Sequence, residues 1–168
     1  LDSDIKKIPQ HLMDAEDPVF EFNKAYNLAE TEISSILAAN PTVEVVIDLH
    51  RDGLDGEKLV TQIDGKQVAK IMFFNGLSRT TAMGDIDYLY NPYIADNLAI
   101  SFQMQLKAAE YYPGFTRRIY LKGYRYNMHY CPKTLLIEVG AQTNTLEEAK
   151  NAMVPLADLL NKVLTGPQ

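Results

Sequence analysis

The chain is 168 residues long, 46% hydrophobic and 23% charged, with a formal net charge of −6, which suits one globular domain with a sizeable core. The acidic balance weighs against a nucleic-acid partner, because phosphate binding calls for a basic face. No run approaches the ~20 apolar residues of a membrane helix, and the single cysteine, Cys131, excludes an intrachain disulfide and a cysteine-based zinc site. With Leu1 as its first residue and no signal-peptide pattern, the chain is expected to be a processed or cloned piece of something longer.

In chain order, residues 1–17 are polar and weakly patterned and read as a connecting segment, leaving residues 18–168 as one domain. Asp17-Pro18 opens a helix, since Asp caps free N–H groups and Pro is tolerated in the first turn. Val19, Phe22, Tyr26, Ala29, Ile33, Ile36 and Leu37 give it one apolar face, and Asn40-Pro41 ends it. Val43 to Leu49 is β-branched and nearly all apolar, the pattern of a central strand buried on both faces, and it runs into His50-Arg51-Asp52-Gly53. Asp64-Gly65-Lys66 between Leu59–Ile63 and Val68–Phe74 predicts a hairpin, followed by a polar loop over 75–91.

A second helix is expected from Pro92 to Tyr112, with Ile94, Leu98, Phe102, Leu106 and Ala109 on its apolar stripe and Pro113-Gly114 as its end. Arg118–Lys122 and Thr134–Gly140 read as strands. Thr145 with Glu148 is a capping box opening a last helix that closes at Gly166-Pro167. This alternation predicts an α/β fold: a twisted, mostly parallel sheet flanked by helices on both faces, with the hairpin as an antiparallel edge.

In open α/β sheets ligands bind at the carboxyl ends of strands, which selects His50, Asp52 and Glu138. Glu138 interrupts the run Leu-Leu-Ile-Glu-Val-Gly, and a carboxylate there needs a partner, a metal or a catalytic task; the alternative is a strand-end ion pair. His50 is a strand-end imidazole that suits zinc, with nearby carboxylates to orient it, or a structural histidine. His129 lies in the loop before the Glu138 strand, and His11 in the weakly patterned start. No local zinc motif, phosphate loop or serine elbow occurs. Arg117, Arg118, Lys122 and Arg125 cluster as a solvated edge or an anion-contacting surface. Cys131 beside Pro132 reads as a packed residue. Tyr88, Tyr90 and Tyr93 either pack at a helix start or stack on sugar rings.

Val45-Val46-Ile47-Asp48-Leu49-His50-Arg51-Asp52, then Arg125-Tyr126-Asn127, then Leu135-Leu136-Ile137-Glu138-Val139-Gly140 and Asn144-Thr145-Leu146-Glu147-Glu148-Ala149 together resemble the stage II sporulation protein P family of zinc-dependent N-acetylmuramoyl-L-alanine amidases, over about Asp17 to Leu164. The resemblance implies a zinc-exopeptidase-like (phosphorylase/hydrolase-like) fold whose N-terminal part is not in this chain. It implies zinc held by two His and one Glu, with His50 as the second His. The other ligands are expected upstream of Leu1, since His11 with Glu16 does not follow an apolar strand and is not assigned. It also implies Glu138 as the residue that activates water.

The implied activity is cleavage of the amide between N-acetylmuramic acid and L-alanine, with cleavage of peptide cross-links as well. The implied setting is septal wall degradation during engulfment, on the outer face of the membrane, alongside stage II sporulation proteins D and M. The chemistry of the remaining residues suggests Asp48 and Asp52 as orienting groups for His50. It suggests Arg51, Arg125 and Asn127 as substrate contacts, since guanidinium binds carboxylates in a fork. The alternatives are a zinc carboxypeptidase or endopeptidase acting on peptides, and a metal-free peptidoglycan-binding module.

Overall fold

A computed structural model describes residues 18–166. Residues 1–17, with His11 and Glu16, and the side chains of Val19 and Phe22, lie outside the described residues. The chain divides into two compact units, one ending at Val43 and the other beginning at Glu44. The first contributes α1, Pro18–Ala39. Tyr26, Ala29, Ile33, Ile36 and Leu37, positions the spacing selects, are half-buried, and so is Glu30. The Asn40 side chain donates to the Ile36 carbonyl at 2.8 Å, satisfying one of the helix's last carbonyls.

The second unit contains β1 (Val46–Asp52), β2 (Val60–Ile63), β3 (Lys66–Ala69), β4 (Ile71–Gly76), β5 (Arg79–Thr80), β6 (Gly84–Asp85), α2 (Ile94–Tyr111), β7 (Tyr120–Lys122), β8 (Thr134–Ala141) and α3 (Leu146–Thr165). Its main sheet has the order β1-β8-β4-β7. The β1/β8 and β4/β7 pairs are parallel and β4/β8 is antiparallel. The sheet is therefore mixed rather than mostly parallel.

The predicted hairpin forms around Asp64-Gly65, whose φ angles of 48° and 76° are those of a two-residue hairpin turn in which both central residues are left-handed. It is not the antiparallel edge of the main sheet, however, but a separate two-stranded sheet. The expected strand Val68–Phe74 breaks at Lys70. Its N–H donates to Leu59 at 2.8 Å, while its carbonyl accepts from Gly140 at 2.8 Å. The chain thus leaves one sheet and enters the other at that residue. The loop expected over 75–91 contains the short β5/β6 pair and a 3-10 turn at Asp87–Leu89.

Both helices of this unit share one core rather than flanking the sheet on both faces. Ile100, Met104 and Ala108 of α2, Ala152, Leu156 and Leu159 of α3, and Ile71, Phe73, Leu135 and Ile137 of the sheet form a single buried cluster. The α2 stripe expected from spacing is also rotated. Phe102 and Leu106 are 57% and 53% exposed, and the buried face instead carries Asn97, Ile100, Ser101, Met104 and Ala108. Two of these are polar because they are used. Asn97 donates to the Met128 carbonyl at 2.6 Å and accepts from the Thr134 N–H at 3.0 Å, which fastens α2 to the start of β8. Ser101 donates to Asn75 at 3.3 Å.

The β1 strand also departs from expectation. It lies at the edge of the sheet, and Ile47 and Leu49 are 40% and 52% exposed. The central strand is β8, bonded on both sides.

The register of β1 on β8 runs evenly from Val46↔Thr134 to His50↔Glu138, then shifts so that Asp52 faces Ala141. Two residues of β1 here oppose three of β8, a bulge. Gly140 sits in it with φ +66°, and an added Cβ would come within 2.5 Å of Asn144 Oδ1. That oxygen is committed, accepting from Ala141 N–H at 2.8 Å, while Asn144 Nδ2 donates to the Leu59 carbonyl and to Glu148. The predicted capping box is complete, with Thr145 and Glu148 bonded reciprocally. The Thr145 N–H, Lys58 and Asn144 together hold the Glu148 carboxyl down to about 2.

Gly140→Ala is expected to lower stability by about 1 kcal/mol or more in denaturant unfolding, through the left-handed backbone and the clash together. Gly53→Ala, where a Cβ meets nothing within 4 Å, is expected to stay within about 0.5 kcal/mol. Equal losses at both positions would contradict the tight bulge.

Candidate functional site

Alternation along the strands sorts the polar residues. The helix-facing side of the sheet takes Ile47, Leu49, Leu135, Ile137, Ile71 and Phe73. The opposite side takes Asp48, His50, Asp52, Thr134, Leu136, Glu138, Met72 and Phe74, as the pairings His50↔Glu138, Asp48↔Leu136 and Met72↔Glu138 require. A smaller apolar cluster of Met72, Phe74, Met128 and Leu136, with Tyr126 against it, floors this second side. His50, Asp48, Asp52 and Glu138 therefore share one polar patch. His50 and Asp52 lie within β1, not beyond its end.

Asp48 binds His50 through Oδ1 to Nε2 at 2.7 Å. Its other oxygen accepts from Asn127 Nδ2 at 3.2 Å, so the carboxylate is fixed from two directions. The bond to Asp48 raises the His50 pKa above the ordinary imidazole value, burial opposes it, and the charge of Glu138 adds to the rise. Glu138 is half-buried, and its Oε2 is buried with no hydrogen-bond partner among the described residues. Burial pushes its pKa above the ordinary carboxylate range. His50 and Arg117 pull it back, and Asp52 and Asp48 push it up further. A buried carboxylate oxygen with nothing to bond within the fold is costly, and it is the kind of group an active site keeps for its substrate or water.

The remaining predicted residues fall in different places. Asp52 is paired with Arg117, Nη1 to Oδ2 at 2.6 Å, and is not bonded to His50. Arg51 points to the other side of β1 and donates to the carbonyls of Ala141 (2.7 Å), Gln142 (3.3 Å) and Asn144, tying down the loop after β8. Asn127 is buried and reaches the site through Asp48. Arg125 is half-buried on the same turn.

The basic cluster does not act as one patch. Arg117 turns to Asp52, and Lys122 lies over the Tyr120 ring at 5.5 Å. His129 stacks on Tyr130 with centroids 4.3 Å apart. Cys131 is buried and packed against Thr134. Tyr88 and Tyr90 are exposed, and the Tyr93 carbonyl accepts from the Asn97 N–H at the start of α2.

The site residue that sequence reasoning missed is Arg117, which was grouped with a surface cluster. Nothing in its immediate sequence marks it. Its N–H donates to the carbonyl of Ile71 at 2.7 Å, and that tertiary contact carries it to the side of the sheet that holds Asp52. Among the described residues no group of three His, Cys, Asp or Glu side chains is placed to hold a metal ion. A catalytic zinc takes three protein ligands, so the described residues do not make a zinc site by themselves.

Asp48→Asn is expected to lower the His50 pKa, read from imidazole proton shifts in an NMR titration, because the amide no longer favours the charged ring. A raised histidine pKa contributes stability that is full below the unfolded value and lost as pH rises through the folded one. The stability gap between the two proteins should therefore be widest near about pH 5–6 and shrink above it. An unchanged His50 titration would show that the bond does not govern the ring.

The family model of stage II sporulation protein P matches residues 5–161. Stage II sporulation protein P of Bacillus subtilis (strain 168) is 24% identical over 147 residues, covering 84% of this chain and 34% of that protein. Orotidine 5'-phosphate decarboxylases of Parabacteroides distasonis and Phocaeicola vulgatus are 76% and 72% identical over 25 residues, 15% of this chain and 9% of each enzyme. A stretch that short cannot enclose a core or an active site, and it assigns no function. The chain thus spans 34% of the sporulation relative's length and far less of the decarboxylases'. No solved structure matches the chain.

Proposed function

The chain belongs to the stage II sporulation protein P family, whose model covers most of its length, and from that membership we propose that its polar sheet face is the catalytic face of a cell-wall hydrolase acting in sporulation. The specific reaction proposed is hydrolysis of the amide between N-acetylmuramic acid and L-alanine of the stem peptide, with peptide cross-links as further substrates. The observation that carries this reading is Glu138, a half-buried carboxylate with a raised pKa and an unbonded oxygen, in register with an imidazole on the neighbouring strand.

A general base works best when its pKa approaches the operating pH, and burial moves Glu138 in that direction. As a carboxylate it takes the proton of a water molecule set against the scissile carbonyl. As the acid so formed, it passes that proton to the departing amine. Asp48 fixes the His50 ring through Nε2, leaving Nδ1 as the nitrogen that faces a ligand. Arg117 neutralises Asp52 beside the base and keeps that second carboxylate from raising Glu138 further.

Zinc is the proposed cofactor, with His50 as one ligand. The described residues do not complete its site, so the other ligands are sought outside them. A zinc-exopeptidase-like fold for the whole protein, stage II sporulation proteins D and M as partners, and the outer face of the septal membrane as location are part of the same proposal. No helix among the described residues is long and apolar enough to cross a membrane.

The test is digestion of purified peptidoglycan by the full-length protein. Muramic acid ends freed of peptide are expected, and Glu138→Gln should slow their release by about 100-fold or more. New peptide ends with the sugar–peptide bond intact would indicate a peptidase instead. Wild-type rates in the Glu138→Gln protein would remove Glu138 from the chemistry.

A further inference from the structure

The pairing of β7 with β4 extends the site sideways. Phe74 faces both Leu136 and Tyr120 across its two neighbours, and Leu136 faces Asp48. Asp48, Leu136, Phe74 and Tyr120 therefore form one row across the sheet, on the side that carries Glu138. Tyr120 stands two strand spacings from the Glu138 strand, about 10 Å. Its ring lies 5.3 Å from that of Phe74, and Tyr126 meets Phe74 edge-on at 4.8 Å. Burial raises the Tyr126 pKa, and Tyr124 lies two residues before it on the same turn.

This arrangement is built at a cost. Tyr126 holds φ +53°, a conformation that bulky side chains avoid and that tends to persist at functional sites. Gly76 makes room for the turn: a Cβ there would come within 2.5 Å of the Tyr124 carbonyl and 2.8 Å of the Tyr126 ring. The turn lies flush on the end of β4, and its next residue, Asn127, reaches Asp48. The same strained turn thus positions the aromatic rings and braces the His50–Asp48 pair. Despite this anchoring, Tyr120 is 43% and Tyr124 61% exposed.

We propose that Tyr120, Tyr124 and Tyr126 form an aromatic ledge that holds a sugar ring of the glycan strand beside Glu138. The proposal rests on the peptidoglycan reading of the site. One face of a pyranose ring presents C–H bonds and its rim carries hydroxyls, which matches a tyrosine's π face and its phenolic edge. Lys122, over the Tyr120 ring, is placed to donate to those hydroxyls. The ledge therefore takes the sugar side of the scissile bond and leaves the peptide side to the β1 end of the sheet.

The test is co-sedimentation of the full-length Glu138→Gln protein with glycan strands stripped of their peptides, alongside a competition with sugar-free stem peptide. Tyr120→Ala with Tyr124→Ala is expected to weaken glycan binding about tenfold and leave peptide binding alone. Tyr120→Phe is expected to retain it, which separates ring stacking from misfolding. Glycan binding unchanged by the alanine pair, or peptide binding weakened equally, would overturn the ledge. Failure of the wild-type protein to cleave peptidoglycan would instead count against the hydrolase reading, and the glycan-binding assay is read independently of it.

Discussion

The parallel pairing of β1 with β8 is the constraint on which the site depends. It places His50 directly across from Glu138 and, two pairs earlier and so on the same face, Asp48 across from Leu136. Three polar groups thereby share one side of a sheet whose other side is filled with the helical core. A slip of one residue would send every side chain of β1 to the opposite face. The bulge at Gly140 ends this register immediately after the His50–Glu138 pair, and Asn144 and Arg51 hold the strand's exit from two directions. The motif residues around the site are thus mostly scaffold: Gly140 for the bulge, Asn144 for its brace, and Thr145 with Glu148 for the helix that follows.

The electrostatics follow from that geometry. Glu138 is desolvated by burial and faces opposing influences, His50 and Arg117 against Asp52 and Asp48. The two aspartates are each engaged, by His50 with Asn127 and by Arg117, whereas Glu138 Oε2 is bonded to none of the described residues. The fold spends its donors on the supporting carboxylates and leaves the central one available, a distribution that suits a base better than a structural ion pair.

Much of this was legible in the sequence because it is local. The Asp64-Gly65 turn, the Thr145–Glu148 box and the Asn40-Pro41 helix end are set by a few adjacent residues. Glu138 stood out because one charge interrupts an apolar run. What the sequence concealed is set by distant contacts. The apolar composition of Val43–Leu49 suggested a central strand, but sheet order depends on which strands meet, and β1 lies at the edge. The α2 stripe was misread because Phe102 and Leu106 outweigh Asn97 and Ser101 in hydrophobicity, while the polar pair is buried by specific bonds to Met128, Thr134 and Asn75. Arg51 and Arg117 could not be told apart by type. Strand alternation sends one to a loop, and the backbone bond that the Arg117 N–H donates to the Ile71 carbonyl brings the other to the site.

The β1/β8 register couples a desolvated Glu138 to His50, and a carboxyl-carbon NMR titration of Glu138 in the wild-type and His50→Ala proteins reads that coupling. Glu138 is expected to titrate above the ordinary glutamate range and to move higher still when the imidazolium is removed, since His50 favours the ionised carboxylate. A Glu138 that titrates as an ordinary exposed glutamate and does not respond to the loss of His50 would contradict it.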